Sequence, residues 1–326
     1  MLLASVIVTL LGLNTRAQDI PFYSFSGPTA ALTVGPLPPE TPVPPPPSAA
    51  DAVTSSTGAL HAYFIAVGQG DSEYIELPNG RNVLIDGGPN PTAPLAQFLS
   101  QKNVTRIDYV VLTHPHSDHY AGLKYVFNKL QVANFYDTRE VNSGANGIKV
   151  LRDKISAMGV NVVYPAAGDT LDWDPGEVRV KVLNSCSDAG ASNAGSVLND
   201  CSIVLKVTYQ NASILYTGDM QADEEAKLVA TYGSELQAEV LKVGHHGSNT
   251  ATSAAFLDAV KPKVAYIEVA KDNAFHFPSP QALSNLEAAG AAAYCTDLGG
   301  TQEYTIDSGT AAPVSPSGLC SARYLR

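Results

Sequence analysis

Short apolar runs recur along the chain from about residue 60 onward. The runs at 62–67, 74–77, 82–85 and 107–113 predict buried strands, and the polar turn at 78–81 predicts a hairpin. A period near 3.6 predicts helices at 94–101, 122–130, 147–158, 222–232, 253–260 and 280–289. Alternation predicts further strands at 160–164, 178–183, 202–209, 213–216, 240–243, 264–269 and 292–296. Hairpins followed by alternating helices and strands are typical of two mixed sheets packed face to face with helices outside.

The two ends of the chain differ from this body. Residues 2–13 are apolar and precede a small-x-small pattern ending at Ala17, which predicts a signal peptide over 1–17 and a secreted protein. Residues 21–50 hold ten of the 22 prolines, so 18–57 is expected to be a disordered linker. We assign 58–310 to a hydrolase domain and 311–326 to a C-terminal tail. No stable membrane association is expected after signal removal.

Charge and cysteine content narrow the choice of partners and compartment. The chain has 31 acidic and 20 basic residues, a net charge of -11, so a polyanion could bind only locally. The four cysteines fit an exported protein with disulfides. Of three possible connectivities, nearest-neighbour pairing joins Cys186 to Cys201 and Cys295 to Cys320.

One cluster carries the chemistry. His114, His116, Asp118 and His119 lie within six residues, directly after an apolar strand. Imidazole and carboxylate are the ligands that borderline divalent metals prefer. In an extended loop the first two histidines would point to one side while Asp118 and His119 turn to another. The pattern therefore predicts two adjacent metal ions.

This His-x-His-x-Asp-His cluster resembles the signature of the metallo-β-lactamase superfamily. Residues 84–88 resemble its first motif, in which Asp86 would brace the histidine loop from behind the ligands. Residues 215–219 resemble the strand that ends in the bridging carboxylate, here Asp219, and residues 241–248 resemble the strand that delivers the last histidine. The resemblance implies an α/β (α+β) fold, the four-layer αβ/βα metallo-β-lactamase sandwich.

A narrower resemblance is to the hydrolase domain of ComEC-type bacterial competence proteins. It rests on residues 64–72, on the Asn-rich segment 198–205 and on residues 244–248, and it covers roughly residues 60–305. It implies two divalent ions, Zn or Mn. The first ion would take His114, His116 and Asp219, and the second Asp118, His119, Asp219 and His245. His246 either replaces His245 or contacts the substrate or its leaving group.

The resemblance also implies catalytic roles. Asp118 or Asp219 would accept the proton of the attacking water, and His246 or Ser248 would stabilise charge on the leaving side. These roles describe in-line attack on a phosphodiester by a hydroxide that two metal ions activate.

Two departures from the family pattern stand out. The chain has no histidine between His119 and His245. The first metal site therefore has one nitrogen ligand fewer than the same site in many members of the superfamily. Asn199 or Asp200 could supply an oxygen there and shift the preference from zinc toward manganese, whereas Cys201, a rival ligand, is expected in a disulfide. In addition, Phe277 precedes Pro278 where the family places histidine, and His276 lies one residue early, as a substrate contact or a plain surface histidine.

These observations predict a secreted hydrolase whose substrate is a phosphodiester, as in a nuclease or nucleotide phosphodiesterase, with nucleic acid bound locally. One alternative is a carbonyl hydrolase acting on a lactone, thioester or β-lactam. Another is a secreted binding or scaffold protein that keeps the fold without turnover.

Overall fold

The computed structural model describes residues 58–186, 192–193 and 195–323. The expected signal peptide (1–17) and Pro-rich linker (18–57) lie outside the described residues. Among the residues described, no helix is long and apolar enough to span a membrane.

The strands follow the apolar runs of the sequence. In chain order they are β1 (Leu60–Phe64), β2 (Glu73–Glu76), β3 (Asn82–Ile85), β4 (Arg106–Val111), β5 (Gln131–Tyr136), β6 (Val141–Asn142), β7 (Asn161–Val163), β8 (Thr170–Asp174), β9 (Val178–Asn184), β10 (Ser192–Asn193), β11 (Val204–Tyr209), β12 (Ala212–Tyr216), β13 (Val240–Lys242), β14 (Val264–Ile267), β15 (Ala292–Cys295), β16 (Gln302–Asp307) and β17 (Thr310–Val314).

The α-helices are α1 (Ala93–Gln101), α2 (Ser117–Tyr120), α3 (Leu123–Lys129), α4 (Gly147–Ala157), α5 (Ser196–Asp200), α6 (Ala222–Tyr232), α7 (Ala254–Val260), α8 (Pro280–Ala288) and α9 (Thr296–Gly299), and 3₁₀ turns occupy Gly233–Leu236, Gly244–Gly247 and Cys320–Arg323. Ser253 and Ser279 cap α7 and α8, because each side chain accepts a hydrogen bond from a backbone N–H of the first turn.

Two mixed sheets form the centre of the fold. The first has eight strands in the order β17-β16-β1-β2-β3-β4-β5-β7, and the second has seven in the order β15-β14-β13-β12-β11-β9-β8. Strands β3, β4, β5 and β7 run parallel, as do β12 through β15. Because parallel strands end at the same edge, the segments that follow β3 and β4 are neighbours, and so are those that follow β12, β13 and β14.

Three apolar layers hold the sheets and helices together. The central layer joins both sheets through side chains such as Phe64, Trp173 and Tyr266. A second layer packs α1, α3 and α4 on the outer face of the first sheet, and a third packs α6, α7 and α8 on the outer face of the second. This arrangement confirms the predicted four-layer αβ/βα sandwich.

Several local predictions need correction. Strands β5, β8, β16 and β17 were not predicted, because polar side chains interrupt their alternation. Thr310–Val314 forms the edge strand of the first sheet and Cys320 is bonded to Cys295, so the sheet and a disulfide extend past the predicted boundary at residue 310. The Asn-rich segment begins as helix α5, and only Val204–Tyr209 of the predicted strand is extended. The disulfides Cys186–Cys201 and Cys295–Cys320 confirm the nearest-neighbour pairing.

Candidate metal centre

The first ligand group forms where the chain leaves β4. His114 is fully buried and His116 is half-buried. The Nε2 atom of His114 lies 2.9 Å from the Nδ1 atom of His116 and 3.7 Å from Oδ2 of Asp219. Two ring nitrogens and a carboxylate oxygen therefore converge on one point, as the ligands of a single divalent ion do.

Two members of the second ligand group, Asp118 and His119, lie on α2, a single helical turn that begins directly after His116. The expected extended loop therefore ends at His116, and the turn directs Asp118 and His119 to a separate position. The Nε2 atom of His119 lies 3.3 Å from Oδ2 of Asp219. The Nε2 atom of His246 lies 3.4 Å from Oδ2 of Asp118 and 3.5 Å from Oδ1 of Asp219. These four side chains form a second candidate metal site.

Asp219 belongs to both groups. It follows β12 after Gly218, whose φ of 51° lies in the left-handed region that favours glycine. Its backbone N–H donates to Ser202 Oγ at 3.1 Å, which fixes the turn. Because its Oδ2 faces His114 and His119 while its Oδ1 faces His246, the carboxylate has the position expected of a bridging ligand.

Asp86 braces the histidine segment as the sequence predicts. This fully buried carboxylate follows β3. Its Oδ1 accepts the backbone N–H of Thr113 at 2.8 Å, and its Oδ2 accepts the Thr113 hydroxyl at 2.6 Å. Its Oδ2 also lies 2.7 Å from Nδ1 of His119, which leaves Nε2 of that ring directed at the second ligand group.

The structure brings His246, rather than the predicted His245, into the second ligand group. Both residues adopt left-handed backbone, with φ of 47° and 53°, so the alternation of β13 does not extend to them. The turn buries His246 and leaves the His245 side chain 22% exposed. His245 Nε2 lies 4.0 Å from Oδ2 of Asp219, and its Nδ1 lies 3.2 Å from the Thr250 hydroxyl. His245 therefore lies at the edge of the centre.

Ser248 does not reach the ligand groups, in contrast to its predicted catalytic role. The buried Ser248 hydroxyl lies 3.0 Å from the Thr250 hydroxyl and accepts the Thr250 backbone N–H at 3.2 Å. Thr250 in turn contacts His245. Ser248 therefore positions His245 through Thr250.

Asn199 is the oxygen donor next to the first group. It is buried beside His116, and its Nδ2 lies 3.4 Å from Nε2 of His245. Asp200 is turned away, because its Oδ1 accepts the backbone N–H of Gln221 at the start of α6. Cys201 is bonded to Cys186 and is not available as a ligand.

A buried ion pair that the sequence did not predict supports His246. Asp71 and Lys242 are both fully buried and form an ion pair through Oδ2 and Nζ. The Oδ1 atom of Asp71 lies 3.0 Å from Nδ1 of His246. The neighbouring Gly70 lies against the Asp118 carbonyl, where a Cβ would collide. A lysine in the apolar strand β13 was the available signal, since such a residue requires a buried partner.

Two further carboxyl groups adjoin this pair. Glu73 and Glu268 are buried within 4.8 Å of each other and of Asp71. Burial, with the negative charge of Asp71, raises the pKa of Glu268 to about 8. Burial, with the charge of Glu268, also raises the pKa of Glu73 well above its usual range.

The polar atoms of the centre fit divalent cations. His119 Nε2, His246 Nε2, Asp219 Oδ1 and Asn199 Oδ1 are buried, and none makes a hydrogen bond within the described part of the chain. Buried polar atoms without partners are rare and costly in folded proteins. Here they are atoms of the predicted ligands, so cations coordinated by them would satisfy all four.

The electrostatics also favour positive charge at this position. Burial alone would lower the pKa of both His119 and His246, but Asp219 and its neighbouring carboxylates outweigh it. The pKa of His119 is raised well above its usual range, and that of His246 is raised to about 10. Burial and the adjacent charge of His119 lower the pKa of His114 instead. Without cations, two imidazolium groups therefore balance the carboxylates.

The four-layer sandwich, with ligands delivered after β4, β12 and β13, defines a protein of the metallo-β-lactamase type. Residues 65–183 match the family model described as Metallo-beta-lactamase superfamily, so this part of the chain is similar to that superfamily. The sequence-based recognition of the family is confirmed.

Competence proteins are among the relatives. The chain is 29% identical over 259 residues to ComE operon protein 3 of Bacillus subtilis and 30% identical over 245 residues to Competence protein ComA of Neisseria gonorrhoeae. Each match covers 74% of this chain and 32% of the relative, so the chain spans about a third of their length. A third relative, Endoribonuclease YSH1 of Mycosarcoma maydis, is 24% identical over 178 residues, covering 50% of this chain and 20% of that protein.

Proposed function

We propose that the protein is an exported, metal-dependent phosphodiesterase that acts on nucleic acid or nucleotide esters. The observation that carries the proposal is the position of Asp219 between two ligand groups. A carboxylate shared by two ions is typical of sites that hold both the attacking and the leaving oxygen of an in-line displacement.

The ligands divide between two cations of one class, manganese or zinc. His114 and His116 would hold the first ion, with Asn199 as an oxygen donor in place of the missing histidine. Asp118, His119 and His246 would hold the second, and Asp219 would contact both. When bound, such an ion pair lowers the pKa of water and stabilises negative charge in the transition state.

Two side chains at the edge of the centre are suited to proton and substrate contacts. The Asp118 side chain is 33% exposed, so it faces entering solvent and can accept the proton of the attacking water. Burial alone would raise the pKa of Asp118, but His119 and His246 lower it, so the group is ionised at neutral pH. His245, which is also partly exposed, is in position to hydrogen-bond the leaving oxygen.

Relatives and charge support the choice of substrate. One relative is named an endoribonuclease, and another is named a competence protein. The net charge of -11 disfavours binding along a duplex backbone, so we propose a small phosphodiester or a single strand bound locally.

Two disulfides support export. Both bonds, Cys186–Cys201 and Cys295–Cys320, need an oxidising compartment to persist. We therefore propose that the protein acts outside the cytosol after removal of residues 1–17.

A substrate panel tests the proposal. Protein loaded with manganese or zinc is assayed on a chromogenic phosphodiester, a single-stranded oligonucleotide, a homoserine lactone and a cephalosporin, with His116→Ala as the blank. We expect phosphodiester turnover that falls at least 100-fold in the variant, because removal of a ligand disrupts the first ion site.

Turnover of the lactone or cephalosporin alone would identify a carbonyl hydrolase. Absence of all turnover, with no metal bound after loading, would identify a binding or scaffold protein. Either result overturns the proposal.

A further inference from the structure

The loop between β14 and α8 carries two stacked aromatic rings. The ring centroids of Phe275 and Phe277 lie 5.5 Å apart with an interplanar angle of 19°. Phe277 packs partly against the core beside the second sheet, whereas Phe275 is 65% exposed. We call these two residues the aromatic platform.

The aromatic platform begins beside the metal centre. The Phe277 ring lies 5.6 Å from the His245 ring at an angle of 67°. His245 itself lies 4.0 Å from the shared carboxylate of Asp219. A single side chain therefore separates the platform from the ligand that both ion sites share.

Hydrogen bonds fix the conformation of the platform loop. The Asn273 side chain donates to the carbonyls of Ala270 and Phe277 at 3.0 and 2.7 Å, and it accepts the Phe277 N–H at 2.9 Å. Between Asn273 and Phe277, His276 has a φ of 58°, a backbone conformation that is rare outside glycine. The loop therefore presents Phe275 in a defined position.

The same loop is attached to the turn Gly244–Gly247, which carries His245 and His246 and is called the ligand turn. The Ser279 N–H donates to the Gly247 carbonyl at 2.8 Å. Gly247 also packs so closely on Pro278 that a Cβ at this position would clash. The platform and the turn that carries His245 and His246 thus form one structural unit.

An exposed ring held next to a hydrolytic centre is suited to a flat partner. Bases of single-stranded nucleic acid stack on aromatic side chains, and this contact tolerates any base sequence because every base has a π-face. It also requires no positive surface, which agrees with the net charge of -11. A double-stranded substrate would not present a free base face to the ring.

We propose that Phe275 and Phe277 stack a base of the substrate and thereby select nucleotide phosphodiesters over phosphodiesters without a base. The inference rests on the proposed phosphodiesterase activity and goes beyond it, because it assigns substrate selection to two residues that bind no metal.

Two substrates with the same leaving group test the inference. The p-nitrophenyl ester of thymidine 5′-monophosphate carries a base, and methyl p-nitrophenyl phosphate does not. We expect Phe275→Ala to raise KM for the thymidine ester about tenfold while kcat stays within about twofold, because stacking holds the base equally before and during the reaction. The methyl ester should be hydrolysed equally well by both proteins.

Two further variants separate stacking from general apolar contact. Phe275→Trp keeps a ring and should retain the low KM, whereas Phe275→Leu keeps only apolar surface and should resemble Phe275→Ala. Val150→Ala is the matched control, since Val150 on α4 is also 65% exposed and apolar. It should leave KM for both esters unchanged.

A binding measurement distinguishes failure of this inference from failure of the proposed function. Fluorescence anisotropy of a labelled thymidine tetranucleotide, and of its abasic counterpart, is measured with metal-free protein in chelator. We expect Phe275→Ala to weaken binding of the thymidine tetranucleotide about tenfold and to leave binding of the abasic counterpart unchanged.

If no phosphodiester is hydrolysed but this dependence on Phe275 is found, the proposed activity is wrong and the stacking site stands. If the thymidine ester is hydrolysed and both measurements are insensitive to Phe275, the stacking site is wrong. If Phe275→Ala impairs only lactone hydrolysis, the ring contacts the acyl part of a carbonyl substrate. This result would also overturn the inference.

Discussion

Asp71 and Lys242 form a fully buried ion pair next to the metal centre, although 171 positions separate them in the chain. The pair connects the loop after β1 to the end of β13. The second oxygen of Asp71 lies 3.0 Å from Nδ1 of His246, which also lies 3.1 Å from the Glu268 carbonyl, so both contacts orient this candidate ligand.

We expect Lys242→Met to lower the free energy of unfolding by about 3 to 5 kcal/mol, because it leaves Asp71 as an unpaired buried charge. The double variant Asp71→Asn/Lys242→Met should lose less than the sum of the two single variants. Urea denaturation of the four proteins measures this coupling. Lys149→Met, which removes an exposed i,i+4 pair with Asp153, is the control and should have no measurable effect. If the losses of unfolding free energy in the two single variants simply add in the double variant, Asp71 and Lys242 are not energetically coupled.

The two adjacent histidines of the ligand turn should differ in metal binding. His246→Ala is expected to reduce bound metal from about two equivalents to about one, because it removes a ligand of the second group. His245→Ala should keep both equivalents and reduce kcat instead, since His245 lies at the edge of the centre. Metal analysis after loading and desalting measures the stoichiometry. Loss of one equivalent in His245→Ala, with none lost in His246→Ala, would reverse the assignment.

Metal binding should release protons. The raised pKa values of His119 and His246 keep both imidazoles protonated at pH 7 without metal, whereas a metal ligand must be neutral. We expect about two protons per protein to be released at pH 7, and metal affinity to rise as pH increases toward 10. Calorimetry in buffers of different ionisation enthalpy measures the number. His246→Ala, which is expected to lose the second ion, should release almost no protons, because His119 then keeps its own. Heats of the unmodified protein that do not depend on the buffer would contradict the charge state.

The buried carboxyls beside the ion pair should make the metal-free protein less stable at high pH. The folded-state pKa of Glu268, about 8, lies above the ordinary value of 4.5, so the folded state retains a proton that the unfolded state loses. This contribution is complete below about pH 4.5 and is lost as pH rises through about 8, with a slope near 1.4 kcal/mol per pH unit between them.

Urea denaturation from pH 5 to 9 in chelator measures the total slope, to which the raised pKa values of Glu73, His119 and His246 also contribute, so the share of Glu268 is the difference from Glu268→Gln. Glu268→Gln should reduce it, because the amide does not titrate. Glu287→Gln on α8 is the control at an exposed carboxyl. A stability that rises with pH across this interval would show that Glu268 is ionised in the folded protein.

The sequence by itself determined the fold class and most of the ligand set. Asp86, His114 and Asp219 each follow an apolar strand, in motifs that resemble those of the superfamily. The candidate ligand cluster at 114–119 was identifiable because it directly follows an apolar strand in the chain. The disulfide pairing also followed from short spacing.

Only the tertiary structure decided the contacts between remote segments. His246, rather than His245, lies in the second ligand group because both residues adopt a left-handed turn, which strand alternation does not predict. The pairing of Asp71 with Lys242 depends on the two sheets meeting face to face, and neither residue signals the other locally. Local periodicity determines which side of its own element a residue occupies, whereas the partner on that side depends on the order in which all the strands are assembled.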